Sequence, residues 1–268
     1  IPSMRFFHDI KTCKLRRMLA FVVLIAVLVT SVMSGILGMA GGIVLMALLI
    51  TTMSVASAMI LHGAVQATSN GSRAWFLREH IVWTMLPAYI AGSVLAVAVF
   101  ALLAFVPHPG VVLIAVGAFA WLARFSKRLA GLDITHQPTA AVCGTLVTSA
   151  QLLAGASGPV LDVFYLRSPL SRQQIVASKA LTQTIGHLFK IGYYVFVISA
   201  LTNMQGQLDA GVPFWLVPVA MITAVIGARI GTALLNRWND QDFQRVTQWI
   251  ILTVATLCIA QGLYMLFQ

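Results

Sequence analysis

Ser34-Gly35-Ile36-Leu37-Gly38-Met39-Ala40-Gly41-Gly42 lies in the middle of an apolar run covering residues 18–53. That run is too long for one simple membrane span of about 20 residues. Four glycines within residues 35–42 are poor helix material, because glycine gives up the most backbone freedom on entering a helix. The run therefore reads as a membrane helix broken near its middle. Irregular backbone at membrane depth is tolerated only against protein or a water-filled cavity, so the break marks where a cavity is expected. Close packing between small residues is the competing reading.

Composition outside this stretch makes lipid the main solvent. The chain has 268 residues, 59% hydrophobic and 9% charged, whereas an ordinary soluble domain is about 25% charged. A mean hydropathy of +0.91 agrees. This excludes a soluble enzyme, a secreted disulfide scaffold and a disordered chain. The low-charge stretches supply about eight spans at roughly 20 residues each.

The formal charge of +10 is informative by position. Arg5, Lys11, Lys14, Arg16 and Arg17 crowd the first seventeen residues, and others cluster at Arg73 and Arg78, at Arg124, Lys127 and Arg128, and at Arg237 and Arg245. Basic clusters between apolar spans mark cytoplasmic loops. The N-terminus is therefore placed in the cytoplasm, ahead of a first span that imitates a signal peptide. The aromatic residues sit within spans and lack the basic interleaving of a nucleic-acid face, so no nucleic-acid partner is expected. Cys13, Cys143 and Cys258 have no metal-ligand spacing and read as free thiols.

A second copy follows the first. A shift of 117 residues lays Gly38 over Gly155, Gly41 over Gly158, Gln66 over Gln183, Asn70 over His187 and His62 over Lys179. One ungapped offset thus aligns a glycine break and the polar helix after it. Duplicated, interrupted helices point to a transporter's central site. The expected architecture is an all-α polytopic membrane protein of about eight transmembrane helices, in two homologous four-helix repeats with glycine-broken first helices. Residues 1–17 form a basic cytoplasmic arm, 18–128 the first repeat, 129–138 a basic and polar linker, and 139–268 the second repeat. Inverted and parallel arrangements of the repeats both remain open.

The chemistry is expected at the breaks and on the helix after each. A break frees backbone N–H groups at the start of the next half-helix, where an anion is favoured. Gly41, Gly42, Ser157 and Gly158 hold those positions. In the first copy His62, Gln66, Ser69, Asn70 and Arg73 recur at spacings of three and four, on one helical face. Lys179, Thr182, Gln183, Gly186, His187 and Lys190 do the same in the second. Amides donate two N–H groups each and lysine is a donor-only cation, a set suited to an oxyanion. Ionisable groups inside a membrane default to function, although Lys179 is near enough to its helix start to snorkel, as is Arg229 in its own span. Asp162 is the acid within a span. It has three readings: a partner for a buried lysine, a proton relay together with His62, or a helix cap. His80 and His108 read as solvated loop residues.

The chain carries no Gly-x-Ser-x-Gly, His-Glu-x-x-His or Walker motif. It is expected not to be an enzyme and to need no cofactor or metal, and transport would run on gradients or passive flow.

Residues 35–42, with Gly155 to Pro159 and the helix through Lys190, resemble the glycine-rich signature of the sulfite exporter TauE/SafE family, also called 4-toluene sulfonate uptake permeases. The resemblance covers nearly the whole chain. It implies a bacterial inner-membrane carrier, gradient-driven or facilitative, for sulfite, organosulfonates or related sulfur oxyanions. It points at Gly41, Gly42, Gln66, Asn70, Gly158, Gln183 and His187. Partners are then the anion and the lipid bilayer, with room for a homo-oligomer. An anion channel and a non-transporting membrane scaffold are the alternatives.

Overall fold

The computed structural model describes residues 2–37, 40–129, 132–165, 168–198, 200, 213–235 and 240–268. Gly38 and Met39 of the first break, the polar stretch 202–211 and Arg237 lie outside the described residues. What is described is helical: α1 (Pro2–Leu37), α2 (Ala40–Thr52), α3 (Val55–Phe76), α4 (Leu86–Leu102), α5 (Pro109–Leu129), α6 (Gln137–Ala154), α7 (Gly158–Tyr165), α8 (Arg172–Gly192), α9 (Leu216–Leu235) and α10 (Asp240–Leu266). A π-helical stretch, Tyr193–Ile198, extends α8.

Local chemistry sets these bounds. Ser54 caps α3 by accepting from the Ser57 N–H. Ser171 and Gln174 form a reciprocal capping box at the start of α8. Proline occupies the first turn of α4 and of α6, where its missing N–H is no loss. Helix α6 stops at Gly155, whose φ of 73° is left-handed and strains any residue with a Cβ. Helix α1 runs on through residue 17 without interruption. The change from basic to apolar composition there is a change of surroundings along one helix, since Lys and Arg are themselves good helix formers.

Helices α3 and α8 pack on each other at the centre. Gly63 sits against Ile191 and Gly71 against Thr184, so the two run antiparallel. Around them α1 packs on α9, α4 on α6 and α5 on α10, while α2 touches α10 and α7 touches α5. The contact of α4 with α6 brings backbone to backbone at Gly92 and Gly144. Ser93 Oγ donates to the Gly144 carbonyl at 3.4 Å, and Thr145 Oγ1 to the Gly92 carbonyl at 3.1 Å.

The outward faces are apolar: Phe21 and Ile25 on α1, Leu95 on α4, Ile222 on α9 and Leu257 on α10 are all exposed. Such faces suit lipid. Among the described residues, Met18–Gly35 and Trp83–Leu102 are by length and composition long and apolar enough to cross a membrane, and four shorter apolar helical segments accompany them. Helices α3 and α8 fall outside that set for a physical reason. Their polar residues turn toward each other and toward α2 and α7, so neighbouring helices rather than their own composition keep them from lipid.

Cys143 and Cys258 are buried free thiols. The Arg229 guanidinium lies over the Phe76 ring, 5.6 Å from its centroid, a cation–π contact at the end of α3.

Candidate functional site

Where α2 and α7 begin, they meet the middle of α3 and α8 around a small hollow. Gly42, Ile43, His62, Gln66, Asn70, Ala156, Ser157, Gly158, Gln183 and His187 line it. The space open to water-sized spheres is about 20 Å³, room for about one water molecule. Two helix N-termini thus face one small polar hollow. Gly42 lets the Gln66 amide approach, since a Cβ there would lie 3.1 Å from Gln66 Nε2.

Behind this lining a hydrogen-bonded chain joins the two breaks. His62 Nε2 lies 2.9 Å from the Gly42 carbonyl oxygen. Lys190 Nζ lies 2.9 Å from His62 Nδ1 and donates to the Gly155 carbonyl, also at 2.9 Å. A carbonyl can only accept and an ammonium can only donate. His62 therefore carries its proton on Nε2 and presents a bare Nδ1 to Lys190. The His187 ring stands 5.5 Å from that of His62.

Two polar atoms at the hollow, Ser157 Oγ and His187 Nδ1, are buried without a partner among the described residues. Leaving a buried polar group unpaired is unfavourable, so both are available to a solute. The donors, and the lack of a buried acid among the described residues, favour a negative one. Lys190 is fully buried, and no Asp or Glu is buried among the described residues. Among the described residues no group of His, Cys, Asp and Glu is arranged to hold a metal ion.

Of the residues singled out from the sequence, eight line the hollow: Gly42, His62, Gln66, Asn70, Ser157, Gly158, Gln183 and His187. Lys190 stands one layer back, behind His62. Gly41 is buried at the start of α2 against Thr30 and Ser34 of α1. Ser69 is buried in α3, its carbonyl accepting from Ser72 Oγ. Lys179 forms an ion pair with Asp162, although this lysine is not buried. With side chains 21% and 32% exposed, the pair belongs to the contact between α7 and α8 and does not line the hollow.

Sequence reasoning passed over Gln151. It is fully buried on α6, and neither atom of its amide has a partner among the described residues. The available signal was its place four residues before Gly155, where the shift of 117 lays it over Ser34. Ser34 Oγ is unpartnered as well.

Residues 5–258 match the family model described as sulfite exporter TauE/SafE. No curated protein and no solved structure matches the chain.

Proposed function

Because the chain belongs to the sulfite exporter TauE/SafE family, a family of integral membrane transporters, we propose that it carries sulfite or a small organosulfonate across the bacterial inner membrane. One observation carries this reading. Two helix N-termini converge on a hollow lined by amides and histidines, with a buried lysine behind it and no buried acid among the described residues. Backbone N–H groups at a helix start and side-chain amides are hydrogen-bond donors. A pyramidal or tetrahedral sulfur oxyanion offers acceptors on every side.

The architecture we propose is two inverted repeats, α1–α5 and α6–α10, each crossing the bilayer an odd number of times because its glycine-broken first segment folds back on itself, with the N-terminus in the cytoplasm. Support comes from the helix pairing. Exchanging the set α1–α5 with α6–α10 turns the α1–α9 contact into α6–α4 and the α2–α10 contact into α7–α5. The α3–α8 and α5–α10 contacts map onto themselves. Helices α3 and α8 run antiparallel, as an inverted relation between the repeats requires. Rocking one repeat against the other then opens the hollow to each side in turn. The small free volume of the hollow, room for about one water molecule, favours a carrier over a continuous channel. Net export down an anion gradient is the direction we assign.

The test is flux of radiolabelled sulfite into proteoliposomes. Saturable uptake above empty liposomes, competed by a small sulfonate, is expected. Flux that rises linearly with sulfite would replace the carrier with a channel, and no flux with any sulfur oxyanion would remove the reading altogether.

A further inference from the structure

The one-turn step from Gln151 to Gly155 holds a polar group that the hollow leaves unused. The Gln151 main-chain carbonyl accepts from the Gly155 N–H and so closes α6 at the break. Its side chain, fully buried, lies against Gly186 of α8, where any Cβ would collide with the amide. Gly186 stands one turn from Gln183, which lines the hollow, so the two share a side of α8. The amide therefore sits beside the hollow, walled off by the α6–α8 contact. Both of its polar atoms are buried without a partner among the described residues. A primary amide brings two donors and an acceptor, and sealing all of them away unpaired is unfavourable.

A related arrangement occurs at the other break, against a glycine of a different helix. Ser34, at the equivalent register, presses against Gly41 of α2 with Oγ unpartnered. At both breaks, then, the residue one turn before the interruption is buried, polar and pressed against a glycine. Core packing alone would favour an apolar residue at such a site.

We propose that Gln151 is a further ligand of the transported oxyanion, used when α6 and α8 part to open the hollow on their side. This rests on the carrier reading above. As the contact opens, the amide N–H₂ donates to the anion passing Gly186, and the closed arrangement returns when the anion has left. Gly186 is the residue that gives the amide room beside the path.

The experiment uses the full chain in proteoliposomes with sulfite, and purified protein in detergent for melting. Gln151→Met keeps the length of the side chain and removes its hydrogen bonds. The expected result is a KM for sulfite raised about tenfold, the scale of one hydrogen bond to a charged group, with an anion-free melting temperature unchanged or raised. Gln151→Glu keeps the shape but sets a negative charge on the path, and transport is expected to fall further. A Gln151→Met protein that melts lower or fails to fold, beside a Gln151→Glu protein with wild-type KM, would make the residue structural and overturn the assignment. Wild-type kinetics in both variants would overturn it alone, since sulfite flux by the wild-type protein still stands. Absence of that wild-type flux would bring down the carrier reading and this assignment together.

Discussion

Lys190 Nζ stands 2.9 Å from His62 Nδ1, and through this contact residues 128 apart in the chain tie one helix break to the other. His62 reaches back to the Gly42 carbonyl at the start of α2, and Lys190 reaches the Gly155 carbonyl at the end of α6. The lysine therefore does two things at once. It meets the bare Nδ1 of a histidine that lines the hollow, and it brings a hydrogen-bond donor behind that lining.

Lys190→Met leaves the Gly155 carbonyl and His62 Nδ1 without their donor inside the core. Each stranded acceptor costs about 1–3 kcal/mol. The variant is expected to melt well below the wild-type protein in detergent and to show weaker sulfite-dependent stabilisation. Lys190→Arg should restore little of either, because a planar fork cannot replace a compact ammonium between two acceptors. A Lys190→Arg protein with wild-type melting and sulfite response would show that charge alone matters there.

Lys179 and Asp162 give the opposite expectation. Their pair is part-exposed and stands away from the hollow, and exposed ion pairs contribute about 0–1 kcal/mol. Lys179→Gln should leave the KM for sulfite within about twofold of wild type, below the change that losing one hydrogen bond to the anion produces. A double-mutant cycle with Asp162→Asn, read by thermal melting, should give a small favourable coupling. A tenfold rise in KM on Lys179→Gln would place that lysine on the anion's route.

These two lysines show what a sequence can and cannot carry. The breaks were legible because glycines interrupt a long apolar run and two of them recur at one offset, Gly38 and Gly41 over Gly155 and Gly158. The polar faces of α3 and α8 were legible because spacings of three and four project onto one side of a helix whatever surrounds it. Which lysine reaches the hollow's surroundings was not, since Lys179 and Lys190 share a face of α8. Only the register between α8 and its neighbours sends one to Asp162 and the other to His62. Gln151 escaped notice for a related reason. With only Thr148 at helical spacing before it, Gln151 forms no polar face like those of α3 and α8, and its significance comes from Gly186 across the interface.

Ser157 lines the hollow with Oγ buried and unpartnered, so Ser157→Ala breaks no hydrogen bond among the described residues. Melting without anion should be unchanged or slightly higher. Sulfite affinity, measured by calorimetry, should fall by several-fold, in keeping with about 1 kcal/mol for one modest hydrogen bond. Gln183→Leu removes two donors from the same hollow and should weaken binding more. Unchanged affinity in both variants would move the anion away from the α7–α8 side of the hollow.

Gly155→Ala tests the break itself, and it does so through two separable causes. The residue holds a φ of 73°, and a Cβ there would come within 2.6 Å of Met46 Sδ on α2. The left-handed backbone costs a residue with a Cβ about 1–2 kcal/mol, and the collision with Met46 adds to it. Met46 is flexible and unbranched, so its far end can yield, but only by disturbing the buried packing in the middle of α2. The single variant is expected to melt lower and to bind sulfite more weakly. Shortening the neighbour with Met46→Ala opens a cavity of its own, yet in the double variant it should relieve the steric part. The two changes together should then cost less than the sum of each alone, with the backbone part remaining. Strict additivity in melting free energy would show that Met46 does not feel the new methyl group, and that left-handed backbone alone holds glycine at this position.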